Sequence, residues 1–120
     1  MPTEAEMKAV LQKYLDAWNA GDAEAVIALF ADDAVVHDPH GSEPKVGKDA
    51  FGEFFRNGAK GGLRLTLDAP VRGSQGDSAA MAFTVIAGAM TIRVIDVMRF
   101  APDGKIVEMH GYWGQTDLET

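Results

Sequence analysis

Apolar residues recur at helical spacing near the start of the chain: Met7, Val10, Leu11, Tyr14, Leu15 and Trp18. Steps of three and four residues gather them on one helical face. Thr3 with Glu6 three residues later has the capping-box form, and Asn19-Ala20-Gly21 ends the run, with Gly21 suited to a left-handed cap. Asp22 predicts the cap of a second helix, with Val26, Leu29 and Phe30 inward and Asp32-Asp33 as its breaker. Residues 34–38 predict a short strand, and residues 39–47, with two prolines and two glycines, a loop. A third helix is expected over 48–57, with Phe51, Phe54 and Phe55 on its inner side.

After the glycine-rich link 58–62 the period changes from helix-like to strand-like. Four strands are expected, near 63–71, 78–87, 89–100 and 105–115, with Pro102-Asp103-Gly104 as a strong turn. Helices first and an antiparallel sheet last predict an α+β domain in which helices cover one face of a curved sheet. Such a cone has an open mouth. Its lining is expected from Met81, Phe83, Val85, Met98, Met109 and Trp113, joined by Val36 and Phe54, and suits a flat apolar ligand.

Three polar residues interrupt this pattern. Strand alternation over 93–100 places Val94, Asp96, Met98 and Phe100 on one face and Arg93, Ile95, Val97 and Arg99 on the other. A carboxyl on the apolar face, with both arginines leaving by the opposite side, tends to stay protonated and becomes a hydrogen-bond donor. Tyr14 lies on the apolar stripe of the first helix, and Asp38 ends a short apolar strand just before Pro39. One carboxylate able to take a proton, with two donors for an oxyanion, is the equipment for moving a proton beside a carbonyl.

Composition narrows the alternatives. The chain has 120 residues, 47% of them hydrophobic, which suits one domain with one core. Net charge is −7, with no basic run, so nucleic acid is not an expected partner. The lack of cysteine excludes disulfides and thiolate chemistry. His37, His40 and His110 lack the helical spacing of a metal site; His37 and His40 could meet across a turn, but all three read as surface histidines. No long apolar stretch predicts a membrane span or signal peptide, and the expected location is the cytoplasm.

Taken together, these residues resemble the ketosteroid isomerases of the NTF2-like/SnoaL-like superfamily. Four segments carry the likeness: residues 14–22 (YLDAWNAGD), 31–39 (ADDAVVHDP), 94–100 (VIDVMRF) and Gly111-Tyr112-Trp113. The specific signal is the triple Tyr14, Asp38 and Asp96. The resemblance implies an NTF2-like cone and a 3-oxo-Δ5 steroid substrate. It implies Asp38 as the base carrying a proton from C4 to C6, and Tyr14 and protonated Asp96 as the oxyanion hole. Trp113 would line the steroid pocket. The resemblance also implies no metal or organic cofactor, because the substrate carbonyl is the electron sink, and a homodimer packed through the outer sheet face, where Ile95 and Val97 are apolar.

Two departures stand out against that family. Phe30 and Phe55 occupy the positions where members carry tyrosines supporting the oxyanion tyrosine, so the support network is expected to be truncated and Tyr14 less polarised. The segment between Phe83 and Val94 is shorter than in familiar members. Two other functions compete: a different NTF2-like enzyme (a polyketide cyclase or epoxide hydrolase), or a non-catalytic binder of an apolar ligand. A hydrolase of that type needs an acid–arginine–acid set holding water, and the pattern supplies no inward arginine.

Overall fold

The structure, a computed structural model, describes residues 1–120. Helix α1 spans Glu4–Asn19, α2 Ala23–Ile27 and α3 Lys48–Ala59; the strands are β1 Phe30–His37, β2 Lys45–Val46, β3 Arg64–Leu67, β4 Ser78–Ala87, β5 Met90–Phe100, β6 Ile106–Tyr112 and β7 Leu118–Glu119. The six main strands lie in the order β2-β1-β6-β5-β4-β3, with β7 pairing β5 off that path. All pairs are antiparallel except β1 with β6. The architecture is α+β: three helices packed on a mostly antiparallel, curved sheet.

The capping box at the start of α1 forms as expected. The Thr3 hydroxyl accepts from the Glu6 amide at 3.1 Å, and the Glu6 carboxylate accepts from the Thr3 amide at 2.8 Å. Met7, Leu11, Tyr14, Leu15 and Trp18 are buried, as their spacing requires. Gly21 follows with φ +68°, in the left-handed region. Asn19 then joins the helix to the sheet, its amide donating to the Leu65 carbonyl at 2.8 Å and its oxygen accepting from the Leu65 amide at 2.7 Å.

Several boundaries differ from the sequence expectation. The second helix ends at Ile27, and Phe30 begins a strand instead of closing the helix. Its backbone registers with Ile106 of β6, and Asp32 and Asp33 sit exposed where the β1–β6 register shifts. A long-range ladder thus overrides the local helical pattern. The expected loop 39–47 contains the short β2, β3 stops at Leu67, and β6 stops at Tyr112. The chain beyond makes a single turn of 3₁₀ helix at Gln115–Asp117 and returns as β7. The alternation along β5 holds: Val94, Asp96, Met98 and Phe100 are buried, while Arg93, Ile95 and Arg99 are exposed.

A candidate active site between two carboxyls

The site begins with three strands side by side. His37 of β1 registers with His110 of β6, and Asp96 of β5 registers with Gly111 of β6. One residue past His37, Asp38 therefore reaches the level of Gly111, and the His40 amide bonds the Gly111 carbonyl at 2.7 Å. The sequence of positions across the sheet is acid, glycine, acid. Gly111 leaves the space between the carboxyls open: a Cβ there would lie 2.8 Å from Asp38 Oδ1 and 3.1 Å from Asp96 Oδ1. The two carboxyls thus border one small volume.

Their environments differ. Asp96 is 2% exposed, and its Oδ2 has no hydrogen-bond partner. Burial, and then the neighbouring Asp38 charge, raise its pKa well above the usual carboxylate range, with Tyr14 opposing the shift. Burial thus favours the neutral form of Asp96, which has a hydrogen to donate. Asp38 accepts a hydrogen bond from Trp113 Nε1 at 3.0 Å. Burial raises its pKa too, but the Trp113 N–H and the Lys45 charge pull back toward the ionised form. Lys45 itself donates to the Asp38 carbonyl at 3.3 Å and sits over the Phe54 ring, 4.4 Å from its centroid. Burial raises both acids, Asp96 the more strongly, and two adjacent acids of unequal pKa can serve as an acid–base pair.

Tyr14 lies beside them, 4% exposed. Burial, then Asp96, then Asp38, push its phenol well above the ordinary tyrosine value, so it remains a neutral donor. Its ring neighbours are Trp18, at 6.2 Å and edge-on, and Phe30, at 6.3 Å. Phe30 also packs on Phe55 at 5.2 Å. The chain's other tyrosine, Tyr112, is exposed, so no second phenol supports the first. The buried Trp18 indole N–H has no acceptor.

Tyr14, Asp38 and Asp96 open on one cavity of about 450 Å³, half enclosed and mostly apolar. Of the residues expected to bind substrate, Phe54, Phe83 and Trp113 line it, as does Val85. Val36, Met81, Met98 and Met109 instead sit beneath it in the packed core, each 2% exposed or less. They face the interior, as alternation demands, but the curved sheet closes over them. Sequence reasoning passed over Trp18, Leu63, Leu65 and Ile92, which also face the cavity. Trp18 was legible only as part of the helix stripe. No arginine or lysine lines the cavity.

The histidines are not scattered. His37 and His110 stack in parallel, centroids 4.1 Å apart, and His40 Nδ1 lies 2.9 Å from His110 Nδ1. Burial and then His37 lower the pKa of His110. The signal for this was absent from local spacing, because β1 and β6 meet only through the parallel ladder.

The SnoaL-like domain model matches residues 11–109. The chain belongs to the SnoaL-like (NTF2-like) family. Among relatives in this family, a steroid Delta-isomerase of Nocardioides simplex is 35% identical over 118 residues, covering 95% of this chain and 94% of the relative. The epoxide hydrolase LasB of Streptomyces lasalocidi is also 35% identical, over 98% of this chain but only 44% of its own length. Among solved structures, the epoxide hydrolase/cyclase-like enzyme SalBIII, studied for pyran ring formation in the polyether salinomycin, superposes with a TM-score of 0.92 at 26% identity. That match covers 100% of this chain and 99% of SalBIII. These relatives are enzymes, and the family fold agrees with the three-helix, curved-sheet architecture. No helix is long and apolar enough to cross a membrane.

Proposed function

We propose that this SnoaL-like protein is a steroid Δ-isomerase that moves the double bond of a 3-oxo-Δ5 steroid into conjugation. The observation that carries the reading is the pair of unlike carboxyls around the Gly111 gap. Asp38 accepts from Trp113, which favours its ionised form, and Asp96 is buried with an orphaned oxygen, which favours its neutral form. Ketosteroid isomerases are the type case of a carboxylic acid kept neutral so that it can donate, so that role follows the resemblance.

The substrate enters with its ketone deepest. Asp38 removes a proton from C4, the C5=C6 pair shifts into conjugation, and the carbonyl oxygen takes the charge as a dienolate. The Tyr14 hydroxyl and the Asp96 carboxylic acid donate to that oxygen. Asp38 then returns the same proton to C6, so no atom is gained or lost and the carbonyl re-forms. Donors already oriented in a dry pocket avoid the cost of turning water toward new charge; removing one costs about 3–4 kcal/mol of barrier in comparable sites. The apolar cavity, within the size range of small-ligand pockets, suits a rigid hydrocarbon skeleton. A homodimer packed through the outer face near Ile95 belongs to the same reading; a monomeric mass by sedimentation would contradict it.

A second reading has support in the LasB and SalBIII similarities. The same pair suits epoxide opening, with Asp96 protonating the epoxide oxygen and Asp38 taking the proton of an attacking hydroxyl. The absence of a cavity-lining arginine speaks against a hydrolase with an acid–arginine–acid water site.

The test is 5-androstene-3,17-dione, followed by the conjugated enone absorbance. A fast rise is expected. Asp38→Asn should reduce kcat by on the order of 10²–10⁴ while retaining binding of the planar phenol equilenin. No rise with the steroid, but turnover of an epoxide-bearing polyether precursor, would transfer the assignment to the second reading. Ligand binding without either turnover would make the protein a carrier.

A further inference from the structure

Period-two alternation places a second chemistry directly behind the first. The acids occupy the inner face of the row β1–β6–β5, and the residues one step earlier point outward. On that outer face His37 registers with His110, and Glu108 lies two residues before His110 on the same strand and therefore on the same side. Their donor atoms all lie within 4.8 Å of one another.

We propose that His37, Glu108 and His110 form a binding site for a divalent first-row transition ion such as Zn²⁺. Two imidazoles and one carboxylate are a donor set such ions take. His110 Nε2 already faces Glu108 Oε1 at 3.7 Å. Donors on a tetrahedral ion at about 2.0–2.2 Å stand closer than this, so the side chains must close in. The parallel His37–His110 stack must open as well, because imidazole lone pairs lie in the ring plane; all three side chains are partly exposed, which leaves room for that turn.

His40 supplies the orienting contact. With its Nδ1 2.9 Å from His110 Nδ1, one nitrogen donates and the other accepts. When His110 Nδ1–H is the donor, its Nε2 lone pair points toward Glu108 and is free to ligate. An outer partner that fixes the tautomer of a ligating histidine is the usual arrangement. His40 is in turn stacked on Tyr112 at 4.8 Å and anchored by its amide to Gly111. Arg99 Nε also reaches Glu108 Oε1, at 3.4 Å. Arg99 is about half exposed, and such a pair contributes little, so a dication can displace it. The site is independent of the isomerase reading, because its ligands lie on the far side of the sheet from the cavity.

The experiment uses the full chain without an affinity tag, freed of metal with EDTA. It would be titrated with Zn²⁺ by calorimetry and with Co²⁺ by visible absorption. The expected result is one saturable site per chain, a raised Tm at excess Zn²⁺, and binding weakened about tenfold or more by each of His37→Gln, Glu108→Gln and His110→Gln. His40→Ala should weaken binding by about 10–100-fold through loss of orientation. In the unsubstituted chain, diamagnetic Zn²⁺ should shift the ligating ring-nitrogen resonances of His37 and His110 and leave Nδ1 of His110 and both nitrogens of His40 unligated, which keeps the test valid if a variant misfolds. No saturable binding, or saturable binding that leaves the His37 and His110 ring nitrogens unshifted, would overturn the proposal.

Discussion

Single side chains decide the proton economy of this site. Trp113 contributes one indole N–H to Asp38, and that contact, with Lys45, opposes part of the burial that raises the pKa of the base. The Trp113→Phe variant keeps the apolar wall but removes the donor. The ionised form of Asp38 then loses its partner, and its pKa rises further. Since kcat/KM reports the free enzyme, its acidic limb should move to higher pH in the variant. A limb that stays put would show that the indole only packs. Trp18 is the converse case: a buried N–H without an acceptor, on the helix that carries Tyr14. Trp18 lies beside Tyr14, and its indole N–H acts against the burial that raises the Tyr14 pKa.

At the scale of elements, β6 is the organiser. It lies between β1, its parallel neighbour, and β5, its antiparallel neighbour, and thereby joins Asp38, just past β1, to Asp96 on β5. Its Gly111 is the spacer between them. Gly111→Ala would force a Cβ to within 2.8 Å of Asp38 Oδ1 and push the carboxyls apart. Displacements of about 1 Å at a reacting centre cost on the order of 10²-fold, so kcat should fall by about that factor while circular dichroism stays unchanged. Unchanged kcat would mean that the carboxyls do not share the reacting volume. The same element explains why β1 begins earlier than local pattern suggests. Ile106 donates its amide to the Leu29 carbonyl, and Phe30 registers with Ile106, so the strand starts where the partner is, not where the helix-breaking aspartates are.

For the whole molecule, a buried neutral acid carries a stability cost that depends on pH. The folded pKa of Asp96 is raised and its unfolded value is ordinary. Between the two the folded state holds more protons than the unfolded one, so the group's contribution is fully present below about pH 4 and is lost as pH rises. The slope is at most about 1.4 kcal/mol per pH unit for one proton. Asp96→Asn abolishes this ionisation. The stability of the variant relative to the unsubstituted chain should therefore grow from pH 4 to pH 8, measured by urea denaturation at each pH. A constant difference would mean that Asp96 is ionised in the folded state. The raised pKa of Asp38 acts with the same sign and remains in both proteins.

The sequence by itself determined the amphipathic faces. The stripe of α1, the phenylalanine side of α3 and the alternation of β5 follow from period and burial alone. With them came Tyr14 and Asp96 as inward polar residues, and the α+β class. The pattern also singled out Asp38 at the end of a short apolar strand, and resemblance to the ketosteroid isomerases gave it the expected role of base. Tertiary structure decided what those faces meet. The parallel pairing of β1 with β6 joins residues more than seventy positions apart, and no local propensity encodes it. That pairing produced the acid–glycine–acid row inside, gathered three apparently scattered histidines outside, and drew Phe30 from a helix into a strand. It also determined which apolar residues line the cavity and which lie beneath it, because strand parity gives the side of the sheet while only curvature gives the depth.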